Sequence, residues 1–215
     1  NLLTSRVTVP ALTTAFSLSG VPVGMSNVRI RGIAFEDFTG VAISMTGATA
    51  CEVTACSFKN VGTAVWLAND THHCRIAGCD ISGTGGRALG GGCSAGESYR
   101  STYNVIDNNY IYDCGWLDKG DNAIDLWCVA NYTVTHNLIH DCPRAAISAN
   151  ACLHTTIAYN HAHHANLETE DSGIVYTVNS WGGWDRWLTD SGNLEARGNV
   201  VHHNLLHDSG GYGKT

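Results

Sequence analysis

The sequence is short of charge, proline and long apolar runs. Only 14% of its 215 residues are charged, and it holds just 3 Pro and 2 Met. Basic residues are the scarcer sign, 12 Lys and Arg against 19 Asp and Glu, for a formal net charge of −7. Nucleic-acid binders present a basic face, so no nucleic-acid partner is expected. No apolar stretch approaches the roughly 20 residues a spanning helix needs, so no membrane span is expected. No segment repeats apolar residues at helical period, which argues against a helical repeat protein. No Cys-x-x-Cys spacing is present, and neither a metal nor a cofactor is expected.

Several features stand out against this background. Glycine is plentiful at 24 residues, and 44% of the chain is hydrophobic, a globular composition of one domain's length. There are 9 Cys and two Asn-x-Thr sequons, Asn69-Asp70-Thr71 and Asn131-Tyr132-Thr133. Together they predict a secreted protein in an oxidising setting, with glycosylation at Asn69 and Asn131. The opening NLLTSRVTVP has neither a start Met nor a signal-peptide pattern, so a piece of a longer or processed chain is expected.

Internal repetition organises the rest. Apolar residues at Ile30, Val53, Ile76, Ile106, Val134, Ile157 and Val201 each open a similar stretch. Three residues on, from the second copy, stand Cys56, Cys79, Asn109, Asn137, Asn160 and Asn204. A second apolar anchor follows each start: Ile43, Trp66, Leu89, Ile124, Ile147 and Val175. The arc between anchors is 13 residues in four copies and 18 in two, and the return arc is 10 in four. The unit is therefore 23 residues, built of short β-favouring runs. This predicts an all-β, right-handed parallel β-helix of about seven coils as a single domain over residues 1–215.

Coils stacked at about 4.8 Å turn equivalent positions into ladders. A row of Asn at a corner can hydrogen-bond to itself and to backbone. Cysteines also fall at equivalent positions on adjacent coils: Cys51 with Cys74, Cys56 with Cys79, Cys114 with Cys142. They read either as ladders of buried thiols or as disulfides between coils, since Cα atoms about 5 Å apart lie within bridging range.

The segments HNLIHDCPRAAI, IAYNHAHHANLETEDSGIVYT and NVVHHNLLHD resemble right-handed parallel β-helix proteins of the pectate-lyase-like superfamily. Within it they are most similar to the group acting as glycoside hydrolases on plant-type polysaccharides. The resemblance implies a polysaccharide or oligosaccharide partner. It also matches Glu168, Asp171, Gly173 and Tyr176 onto that group's Glu-Thr-x-Asp-x-Gly-x-x-Tyr signature.

The two lengthened arcs, within Cys114–Asp125 and His163–Tyr176, fall at one corner two coils apart. They should wall a cleft whose floor is the short CPRAAIS coil. Glycoside cleavage needs a proton donor and a second carboxylate. Asp171, Glu168, Asp121 and Asp125 are the catalytic candidates, with pairs two coils apart near the longer, inverting separation. Tyr176, Trp116, Trp127, Trp181, Trp184, Trp187, His163 and Arg144 are the substrate-binding candidates, since aromatics suit stacking on sugar faces. His140 and His207 belong to the repeated His-Asp corner and read as structural. Two alternatives stand beside the hydrolase. One is a polysaccharide lyase or epimerase. The other is a non-catalytic structural, adhesive or filament-forming protein that associates end to end through its open coil edges.

Overall fold

The computed structural model describes residues 12–19, 24–93, 100–178 and 197–210. All its strands pair in parallel, coil upon coil, and among the described residues there is no helix long and apolar enough to cross a membrane. A 7-stranded sheet forms the first face: Arg29–Arg31, Glu52–Thr54, Arg75–Ala77, Val105–Asp107, Thr133–Thr135, Thr156–Ala158 and Val200–His202. A 12-stranded sheet wraps the other two faces. In the early coils one long strand, such as Ser57–Leu67, crosses both of these faces. Later it splits into pairs such as Tyr110–Tyr112 on the second face and Ile124–Trp127 on the third.

The predicted register holds on the first face. Ile30, Val53, Ile76, Ile106, Val134, Ile157 and Val201 are consecutive Cα partners. On the third face the column runs Ile43, Val65, Leu89, Ile124, Ile147, Val175. Trp66, expected in that column, is displaced by its neighbour Val65. Phe38 pairs with Val61 but Val41 with Thr63, so the arc from Val53 to its third-face anchor is one residue shorter than the arc before it. Val65 is fully buried, and Trp66 points outward.

Corners are made by left-handed residues, which cost little for Gly, Asn and Asp. After the first face they are Gly32, Ala55, Gly78, Asn108, His136, Tyr159 and His203; after the second, Asp37, Asn60, Gly83, Asp113, Asp141, His164 and Asp208. The His-Asp repeat is thus a corner device. Asp141 takes the left-handed turn and accepts a bond from His140 Nδ1 at 2.8 Å.

The Asn ladder sits just past the first corner, fully satisfied. Asn137 Oδ1 accepts from the backbone N–H and the Nδ2 of Asn109, both at 3.0 Å, while its own Nδ2 donates to Ile106 O and Asn160 Oδ1. Asn160 and Asn204 repeat the pattern. A second ladder runs along the corner before the first face, where Asn104 Oδ1 accepts from Cys74 N–H at 2.8 Å and Asn199 Oδ1 from Thr155 N–H at 2.9 Å.

Of the two readings of the paired cysteines, the thiol ladder is the one seen: Cys51, Cys74, Cys56, Cys79, Cys114 and Cys142 are buried thiols with no bridge between coils. Cys114 Sγ and Cys142 Sγ lie 3.8 Å apart, in contact but unbonded. Cys51, Cys56, Cys74 and Cys79 continue the two Asn ladders into the early coils as small apolar fillers. Each thiol donates to a nearby backbone carbonyl, as Cys56 does to Thr54 O at 3.4 Å.

Candidate functional site

Strand alternation sends every second residue of the third face outward. One outward column runs Ser44, Trp66, Gly90, Asp125, Ser148, Tyr176, and beside it lie Gly92, Trp127 and Asn150. From Trp66 to Tyr176 the column covers four coil steps, about 19 Å. The glycines here are a bed for an indole. A Cβ on Gly90 would lie 2.8 Å from Trp66 Cζ3, and one on Gly92 2.7 Å from Cζ2.

Arg87 enters from the preceding corner and organises the centre of the column. Its guanidinium carbon lies 4.9 Å from the Trp66 ring centroid. Its Nη1 reaches Asp125 Oδ2 at 2.9 Å and its Nη2 reaches Asp121 Oδ1 at 2.6 Å. Asp121 Oδ2 also accepts from the Arg87 backbone N–H at 3.2 Å. One arginine thus clasps two carboxylates. Asp125 is only 9% exposed, and its other oxygen accepts from Asn122 Nδ2 at 3.1 Å. Burial pushes the Asp125 carboxyl above its ordinary range, Arg87 and Asn122 pull it back, and the nearby Asp121 charge raises it further.

On the third face and the corners leading into it, four buried polar atoms lack a hydrogen-bond partner: Asn122 Oδ1, Arg144 Nε, Ser148 Oγ and Asn150 Oδ1. Ser148 is near enough to favour the charged form of Asp125, yet its hydroxyl lies outside hydrogen-bonding geometry. Orphaned atoms of this kind each cost on the order of 1–3 kcal/mol. Within the described residues such atoms occur here and on no other face.

The two lengthened bends emerge on the same flank and are tied together. Lys119 Nζ of the first meets Glu168 Oε1 of the second at 2.7 Å. Arg144, from the coil between, donates through Nη1 to Gly120 O at 3.0 Å and through Nη2 to Asp171 at 3.2 Å. Its guanidinium carbon lies 5.7 Å from the Tyr176 ring centroid.

The family model for the right-handed β-helix region matches residues 39–213. The chain belongs to that family. Two solved β-helix structures resemble it. One, titled a glycoside hydrolase, has a TM-score of 0.67 at 21% identity over 80% of this chain and 30% of its own. The other, the A-module of the Azotobacter vinelandii mannuronan C-5 epimerase, has a TM-score of 0.65 at 15% identity over 89% of this chain and 58% of its own. At such identities the likeness is one of fold, and the chain spans well under two thirds of either neighbour. No curated protein matches the chain.

Within this β-helix the four candidate acids separate into two kinds. Asp121 and Asp125 come together under Arg87. Glu168 and Asp171 are solvent-exposed and engaged with cations that join the two bends. Of the candidate binding residues, Tyr176 and Trp127 line the outward columns and Arg144 touches both bends. Trp116 projects from the first bend, 66% exposed. His163 lies on the second face, stacked between His140 and His207. Asn69 and Asn131 are half-buried, and Trp181, Trp184 and Trp187 lie outside the described residues. Arg87, Asn122, Ser148 and Asn150 are not among the residues the sequence points to, and Trp66 is there only as a core anchor. The alternation of Ile147-Ser148-Ala149-Asn150, read from its anchor Ile147, placed Ser148 and Asn150 outward beside Asp125. Nothing local flagged Arg87, whose partners lie 34 and 38 residues away.

Proposed function

We propose that this chain carries the active face of a glycoside hydrolase acting on a polysaccharide, with Asp125 as proton donor and Asp121 as the second carboxylate. One observation carries the reading. Two carboxylates, Asp121 and Asp125, are held by one arginine on a face whose outward columns also carry Trp66, Trp127 and Tyr176. Paired acids flanked by aromatic rings suit a sugar, which offers ring faces for stacking and a glycosidic oxygen for protonation. Asp125, with burial raising its carboxyl, has the environment of a general acid, while Asp121 is held by the Arg87 guanidinium. The fold of both structural neighbours accords with such an activity, and a polysaccharide substrate would place the protein outside the cell.

The test is a panel of neutral and acidic plant-type polysaccharides incubated with the protein, with reducing ends counted. Asp125→Asn should lower the rate by about 10²–10⁴-fold, the usual contribution of a general acid. Asp171→Asn should lower it far less. Equal activity of Asp125→Asn and wild type would refute the assignment.

A lyase or epimerase is the second reading, favoured by Tyr176 lying beside Arg144 at the end of the same column. A phenol next to a guanidinium can abstract a proton from a uronate. Products that absorb in the ultraviolet through a new double bond, or that change configuration without new reducing ends, would select this reading.

A further inference from the structure

A groove of about 430 Å³ follows the corner between the second and third faces, on the N-terminal side of Asp121. Phe38 and Val61 form one side, Trp116 and Leu117 the other, and Gly62 and Gly85 the floor. The floor is bare by necessity. A Cβ on Gly62 would lie 2.5 Å from Thr39 O, and one on Gly85 3.3 Å from Leu117 Cδ1.

Trp116 is 66% exposed and Leu117 89%, yet the bend that carries them is pinned. Trp116 N–H donates to Thr84 O at 3.0 Å, Leu117 N–H to Gly85 O at 2.8 Å, and Asp118 N–H to the same oxygen at 2.9 Å. An indole and a leucyl group are therefore held out toward solvent on a fixed backbone. Such preorganised apolar surface favours a ligand that covers it. The rim is polar, with Thr39 and Asn60, whose amide makes only a long 3.4 Å bond to Asp37. An apolar floor under a polar rim suits a ring with one hydrocarbon face and hydroxyls at its edge.

Continuity identifies the occupant. Gly85 packs on Leu117, and the next residue, Gly86, packs on the Asp121 carboxylate. The groove and the acid pair therefore share an edge, one residue apart. We infer that the Trp116–Leu117 groove is a second sugar subsite, holding the pyranose ring of a neutral oligosaccharide next to the one whose bond lies at Asp121 and Asp125. This rests on the carbohydrate reading above, and adds that the ligand is an oligomer crossing the Gly85–Gly86 edge, not a single sugar.

The experiment titrates the whole chain with neutral gluco-, xylo-, manno- and galacto-oligosaccharides, from monosaccharide to hexasaccharide, by calorimetry. For the series that binds, affinity should rise steeply once a second ring is added. The Trp116→Ala/Leu117→Ser double variant alters only exposed side chains, and its fold is checked by its unfolding midpoint. It should lose about tenfold on the longer members, the scale of an aromatic contact, and nothing on the monosaccharide. A double variant with the wild-type length profile, or a wild type indifferent to length, would overturn the subsite while leaving the carbohydrate reading intact. A wild type that binds no member of any series would overturn the subsite and leave only acidic substrates to the carbohydrate reading.

Discussion

Acid should unfold this β-helix from a stack of imidazoles on its second face. The outward column there runs Tyr112, His140, His163, His207 in register. His163 lies parallel to His140 at 4.9 Å and to His207 at 5.1 Å between centroids. Two further rings close in, His161 at 5.0 Å and His164 at 4.9 Å from His163, and His161 stands 5.1 Å from His207. His161 Nε2 meets His207 Nε2 at 2.8 Å, and His163 Nδ1 meets His164 Nδ1 at 2.6 Å. An N–H···N bond needs a lone pair on one side, so both contacts fail when every ring is charged. Burial, then the four neighbouring imidazoles, push the His163 pKa down.

A His whose folded value is depressed binds its proton more readily in the unfolded chain, near 6.5. Stability is then complete above that pH and is lost as pH falls through and below it. Two unit charges 5 Å apart in water repel by about 0.8 kcal/mol, so the five close ring pairs sum to about 4 kcal/mol. Physiological salt roughly halves this, to about 2 kcal/mol. Asp141 and Asp208, bonded to His140 and His207, recover part of it. Urea unfolding followed by tryptophan fluorescence at about pH 7.5 and about pH 5 should therefore differ by roughly 1 kcal/mol, and by less than about 2 kcal/mol. His163→Asn removes four of the five pairs and should cut the His-dependent loss to about a fifth. The strand His161–Ala165 runs directly into the bend bearing Glu168 and Asp171, so that wall should loosen first. Identical pH dependence in wild type and His163→Asn would refute the reasoning, because carboxylates elsewhere would then carry the whole acid response.

Two further predictions concern the scaffold. Asn137→Ala removes the acceptor of a buried backbone N–H and three further side-chain bonds, and should cost about 3 kcal/mol in urea unfolding, against about 1 kcal/mol for the partly exposed Asn204→Ala; equal losses would show that the ladder is not what matters. Peptide mapping after alkylation in denaturant, without reductant, should find Cys51, Cys56, Cys74, Cys79, Cys114 and Cys142 all labelled, and in the native state, where all six are buried, almost none of them. Burial pushes Cys74 and Cys79 to about 11, which leaves little thiolate to react in the folded chain. Any of the six found unlabelled after denaturation would mean that a bridge had formed.

The scaffold was legible because each position is written several times. Seven anchors at matching offsets leave one stacking register, and a single odd residue, such as Ile33 in the ladder column, is outvoted by the Asn and Cys of the other coils. The third-face column failed only at Trp66, where a counted interval of 13 fell on one of two adjacent apolar residues and alternation had no polar residue to choose between them. That one-residue slip hid the indole of the candidate site inside an imagined core, and with it the reason for the Gly90-Gly91-Gly92 run beneath. The site itself lies in departures from the repeat: a lengthened bend, a lone arginine, a serine among aliphatics. Each occurs once, so no second copy constrains it. The signature match drew attention to Glu168 and Asp171, yet these carboxylates meet Lys119 and Arg144 in solvent. The acid held under burial is Asp125, which looks unremarkable in the sequence because its partner Arg87 arrives from the coil below. In a solenoid, neighbours along the axis are a full turn apart in the chain. Local patterns therefore report the corners faithfully, whereas the chemistry is assembled by pairs one turn apart.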